Sequence, residues 1–150
     1  MHARTQIRLA FHDVLKAALD PAVYDVFSSR KYARNLEPGQ AIVDIRILNV
    51  NVESQVMGFD RTHVASLYIR VQRDEPEETL DDVLDADEVA VTRAIEAHDW
   101  SMLLEDETGP ELKQVNFSED SDAAVSVGAI ILRYDVEYRI DKTDPTTIRR

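Results

Sequence analysis

The run Ala41-Ile42-Val43-Asp44-Ile45-Arg46-Ile47-Leu48-Asn49-Val50-Asn51-Val52 decides the architecture. In an extended chain Val43, Ile45 and Ile47 fall on one face and the residues between them on the other. At Ile47-Leu48 the alternation changes phase, and Leu48, Val50 and Val52 carry it on. A slip of that kind inside a strand pattern predicts a β-bulge or a strong bend. After a turn at Met57-Gly58-Phe59-Asp60, the segment Val64-Ala65-Ser66-Leu67-Tyr68-Ile69-Arg70-Val71 runs back with Leu67, Ile69 and Val71 on one face. Residues 41–73 therefore predict a long antiparallel hairpin.

Further along, Ile130, Leu132, Tyr134, Val136, Tyr138 and Ile140 alternate with Ile131, Arg133, Asp135, Glu137, Arg139 and Asp141, which predicts a long half-buried strand with a charged outer face. Leu112 to Phe117 is a shorter strand, as is Ala22 to Phe27, followed by a polar loop from Ser28 to Gln40. Two segments have helical periodicity instead. Ile7, Ala10, Phe11, Val14, Leu15 and Ala18 mark a helix from about Thr5 to Leu19, stopped by Asp20-Pro21. Leu80, Val83, Leu84, Val91, Ala94 and Ile95 mark a second, with Thr79 as its expected N-cap and Asp81 and Asp82 in a first turn where the helix dipole favours acids. The order α-β-β-β-α-β-β predicts an α+β fold, a mainly antiparallel sheet with two helices on one face. Residues 1–141 read as a single domain and 142–150 as a flexible C-terminal tail carrying Pro145.

Length and composition agree with one domain of 150 residues. Such a chain buries roughly 68–70% of the surface its unfolded form exposes. Twenty-nine acids against seventeen bases leave a formal charge of −12. A surface so negative repels phosphate backbones, and no basic stripe offers counterion-release affinity, so sequence-specific nucleic-acid binding is not expected. There is no cysteine, hence no disulfide framework and no thiolate metal site. The N-terminal residues lack the apolar run of a secretion signal, and nothing approaches the length of a membrane span. A protein made in the cytoplasm and free of the membrane is expected.

Catalytic patterns are missing. His2, His12, His63 and His98 lie in no motif, and neighbours such as His12-Asp13 or His98-Asp99 point about 100° apart on a helix. There is no Gly-x-Ser-x-Gly elbow and no phosphate-cradling glycine loop. The acidic run Asp81, Asp82, Asp85, Asp87, Glu88 and the segment Ser118-Glu119-Asp120-Ser121-Asp122 both lack the alternate ligands, glycine and terminal glutamate of an EF-hand. The first reads as a solvated helix start. No catalytic residue, cofactor or metal is expected, and the chain is not expected to be an enzyme. A small cytosolic ligand-binding module or enzyme, with His63 or His98 beside an acidic cluster, is the competing reading.

The hairpin 41–73 and the strand 129–141 present more strand edge than a two-helix domain can cover, and long open edges invite another chain. A candidate subunit interface comprises Arg70, Ile131, Arg133, Asp135, Glu137 and Arg139. Its mixed charges suit a self-complementary contact and equally an ordinary solvated face. Three segments add a resemblance: the helix Arg4-x-x-x-Arg8 ending in Leu19-Asp20-Pro21, the strand Leu67-Tyr68-Ile69-Arg70-Val71 leading to Leu80-Asp81-Asp82-Val83-Leu84, and the closing Tyr134-Asp135-Val136-Glu137-Tyr138. In these, and in element order over most of its length, the chain resembles the tail terminator proteins of long-tailed bacteriophages, minor tail proteins that complete the tail. Other small head-tail connector proteins share similar size and fold. The resemblance implies a virion tail protein assembled in the host cytoplasm. It further implies a ring, usually a hexamer, that caps the tail tube protein, stops its polymerisation and docks the head-tail connector protein while DNA passes through without specific binding. Six copies at −12 each would repel one another at low salt, so association is expected to strengthen with ionic strength or divalent cations.

Overall fold

Helix α1 (Ala3–Ala18) starts where the His2 ring turns back to accept a hydrogen bond from the Arg4 backbone N–H at 3.2 Å. That side chain fills the place of an N-cap and starts the helix two residues before the expected Thr5. Ala3, Ile7, Phe11 and Leu15 recur every fourth residue and are all buried. Helix α2 (Glu77–Ala97) likewise begins early. Pro76 caps it, while Thr79, the expected cap, lies inside the first turn and donates its hydroxyl to the Pro76 carbonyl. Proline is tolerated there because a residue at the helix start has no intrahelical acceptor for an N–H. Leu80, Leu84, Asp87, Val91 and Ile95 form its buried stripe.

The computed structural model describes residues 1–28, 36–53, 60–104, 109–120, 126–141 and 143–149, and for 60, 119–120, 126–127 and 149 the backbone alone. Most of the polar loop 28–40 and the turn expected at 57–59 lie outside the described residues. The strands are β1 (Tyr24–Phe27), β2 (Ala41–Glu53), β3 (Asp60–Glu75), β4 (Glu111–Asp120), β5 (Ser126–Asp141) and β6 (Asp144–Arg149). They form one curled, mostly antiparallel six-stranded sheet in the order β1-β2-β3-β5-β4, with β6 pairing β5. The fold is α+β, as the periodicities indicate. β1 runs parallel to β2. The expected bulge is present as a register shift between Ile47 and Asn49.

Both helices cover one face of the sheet. On that face Val43, Val71 and Ile130 lie across from one another, as do Ile45, Ile69 and Leu132, and all six are fully buried. Phe11 joins the two layers, its ring 4.5 Å from Trp100 and 6.2 Å from Tyr134. Trp100 opens a short 3₁₀ turn and donates its indole N–H to the Ile95 carbonyl at 2.9 Å, locking the turn to the end of α2. At the opposite end of α2, Gly128 allows close approach. A Cβ there would lie 2.7 Å from a Leu80 methyl.

The tail expected to be loose from residue 142 instead supplies β6. Arg139 registers with Arg149 and Ile140 with Ile148, and the Gln6 amide donates to the Thr146 carbonyl at 2.6 Å. Pro145 is compatible because it has no register partner in β5, so its missing N–H costs no ladder bond.

Candidate assembly surfaces

Two buried ion pairs fix the inner end of the sheet, and the sequence pattern missed both. Asp87 belongs to the acidic run expected to be solvated, yet it has no exposed surface. It accepts two bonds from Arg73, at 2.8 and 2.7 Å, and one from the Tyr24 hydroxyl at 2.6 Å. Helical spacing places Asp87 on the stripe of Leu84 and Val91, a signal outweighed by the charge of its neighbours. Burial, followed by the hydrogen bond to Asp87, pushes the Tyr24 phenol up to about 12. Burial works against the Arg73 charge, but the bonds to Asp87 and the carboxylate charge hold its pKa above the usual value. Glu75 extends the network, 3.8 Å from Arg73, and accepts a bond from the N–H of Gly39 at 2.7 Å. Gly39 has φ +84°, a left-handed conformation that favours glycine, in the turn leading into β2.

On the sheet face away from the helices Asp44 is also fully buried, and accepts the Arg70 Nε–H at 3.0 Å. Arg70, proposed from sequence as an interface residue, is thus bound within its own chain. The other candidates form a stripe along β5 on this face. Ile131 lies opposite Arg70, and Arg133 and Asp135 approach to 3.8 Å. Glu137 is exposed and Arg139 half-buried beside β6. An open groove of about 640 Å³ runs beside Asp135 and Glu137 towards Glu53, Glu111 and Lys113. Four carboxylates and one ammonium give it an acidic lining.

Among the described residues, two long stretches of sheet edge carry no further strand. β1 pairs only with Ala41–Asp44 of β2, so among the described residues Ile45–Glu53 has no strand on its outer side. Leu48 and Val52 there are 60% and 55% exposed. At the other edge, among the described residues, β4 pairs with β5 alone, and Phe117 is 56% exposed. Its register partner Ile130 lies on the helix side of the sheet, as does Leu132 opposite Val115. Val50 and Val52 oppose Ala65 and His63 on that same side.

The histidines do not assemble a reactive site. His12 and Asp13, expected to diverge, meet at 2.9 Å, but Asp13 is 78% exposed and a pair so solvated contributes little. His98 stacks edge-on against Trp100, and its neighbour Asp99 accepts the Ser101 N–H as cap of the 3₁₀ turn. His63 lies beside bases rather than the acids expected. Burial first, then Arg61, His2 and Arg4, lower its pKa. Among the described residues no group of three His, Asp or Glu side chains could hold a metal ion, and no helix is long and apolar enough to cross a membrane.

No family model and no curated protein matches the chain. Among solved structures, a chain in the virion of a native gene transfer agent particle is similar in fold at TM-score 0.45 and 19% identity, over 90% of this chain and 92% of that one.

Proposed function

We propose that this chain is a structural protein of a phage-like virion, acting through shape and interface rather than catalysis, and that within that class it is a ring-forming tail terminator. The observation that carries the reading is the pair of open sheet edges. Edges of this length are normally short, charged or covered, yet these expose Leu48, Val52 and Phe117. The sequence resemblance supplies the role: a ring that caps the tail tube, ends its polymerisation and offers a face to the head connector. The acidic lining of the groove and the charge of −12 suit a channel through which DNA slides without adhering.

The test is native mass by light scattering across a salt and magnesium series, followed by addition to purified tail tubes. A discrete ring of about six copies, favoured by added salt, and tubes that stop growing once capped are the expected results. Rings that weaken steadily as salt rises count against the charge argument. Tubes that lengthen unchecked in the presence of assembled rings exclude the terminator role and leave a connector.

A further inference from the structure

We infer that copies of this chain join head to tail by pairing β4 of one with the outer half of β2, Ile45–Glu53, of the next, so that the sheet runs continuously from subunit to subunit. The inference rests on the ring reading and names its interface.

Three observations converge. First, the two edges match in length, ten residues in β4 and the nine of 45–53 in β2, and lie on opposite sides of the sheet, β4 as the last strand of the order and 45–53 where β2 runs on past β1. A contact between different patches on one chain is heterologous and generates rings, whereas a patch that pairs with itself stops at a dimer. Second, direction is correct. β2, β3, β5 and β4 are successively antiparallel, so β2 and β4 run in opposite senses. A neighbour placed by simple rotation about an axis near the strand direction therefore meets β4 with an antiparallel β2. Third, that rotation keeps the helix faces on the same side. With a four-residue offset along the strands, Phe117, Val115 and Leu112 of β4 then fall beside Ile47-Leu48, Val50 and Val52 of the neighbour, and the exposed apolar side chains of both edges form one strip. A neighbour turned over would set Phe117 against Asn49, Asn51 and Glu53 instead, since these alternate with the valines.

The edges are offset along the strands, and this fixes a further geometric property. β4 lies against Val127–Asp135 of β5, while the open part of β2 aligns through β3 with Leu132–Arg139. Full pairing thus shifts successive subunits by about four or five residues, roughly 15 Å at about 3.3 Å per residue. A closed ring absorbs such a shift by inclining its strands to the ring axis, the same relation of tilt and stagger that closes a β-barrel.

The experiment uses two full-length variants, Phe117→Lys and Val52→Lys, each changing a side chain more than half exposed in the single subunit. Under conditions where the wild type forms rings, each variant alone is expected to lose ring mass while keeping its circular dichroism spectrum. An equimolar mixture retains one intact β4 and one intact β2 edge, and is expected to give a two-chain complex that grows no further. Rings that persist in either variant, or a mixture that stays monomeric, overturn the edge pairing while leaving the ring reading standing. Loss of rings in Phe117→Lys alone, with Val52→Lys unaffected, points to β4 pairing with itself and also overturns it. A wild type that remains monomeric at every salt and protein concentration, tail tubes included, overturns both.

Discussion

The two halves of β2 share one strand and opposite fates. Ala41 to Ile45 are all buried, whereas Leu48 and Val52 are more than half exposed. The inner half has β1 along its edge, α1 over one face and the Asp44–Arg70 pair on the other. Beyond the bulge the strand still pairs with β3, but among the described residues no strand lies along its outer edge. Hydrogen bonding to one neighbour suffices to keep a strand extended, and burial requires a second. The inner half holds the subunit together, and the outer half is left for contact with another chain.

The largest expected effect tests the inner end. Asp87→Ala leaves Arg73 buried without its carboxylate and Tyr24 without its acceptor, and should cost about 3–5 kcal/mol in urea unfolding. A loss below about 1 kcal/mol would mean that Arg73 finds water or Glu75, and that the inner end is less closed than its burial indicates. Next, Gly128→Ala forces a methyl against Leu80 and should cost about 1–3 kcal/mol. In a Leu80→Ala background the same change should cost clearly less, because the clash has gone, and purely additive losses would show that Gly128 serves another purpose.

The outer end is expected to respond more weakly, and through pH. His63 binds a proton less readily in the fold than in the unfolded chain, because of burial and the nearby Arg61, His2 and Arg4. Above the ordinary histidine pKa both states are neutral there. As pH falls below it the unfolded chain takes up the proton first, so stability should drop with pH in that window. The pH slope of unfolding just below the ordinary histidine pKa, about 6.5, should be shallower in His63→Gln than in the wild type. Equal slopes would remove His63 from the account. The smallest effect is reserved for Val52→Ser, within about 0.5 kcal/mol of wild type in subunit unfolding. A larger loss would show that the outer half is packed within the subunit, and the contrast between the halves would fail.

Much of this was legible in advance because apolar periodicity records which face meets the core. It placed the hairpin, the long strand β5, both helices and the slip at Ile47-Leu48. It misjudged positions where a residue's own chemistry argues against its place. Asp87 reads as solvated until Arg73 is brought to it, and no pattern pairs Asp44 with Arg70; the two proximities come from helix packing across 14 residues and strand pairing across 26. The tail looked loose because a strand six residues long is stable only beside a partner, here the end of β5. Of the proposed interface residues, the stripe Arg133, Asp135, Glu137 and Arg139 follows from alternation alone, while the binding of Arg70 by Asp44 does not. The exposure of Phe117 and Val52 was equally hidden, since an apolar residue in a strand reads the same at a sheet's centre and its rim.

The sequence by itself determined the types and order of the elements up to β5, and which side of the long strands faces the helices, because these depend on spacing along the chain. Only the tertiary structure decided which strands lie at the edges, that β1 runs parallel to β2 and covers just its first four residues, and which charges are buried in pairs. Those properties depend on which distant segments meet. A one-dimensional pattern records a residue's preference for being buried but not the neighbour that buries it.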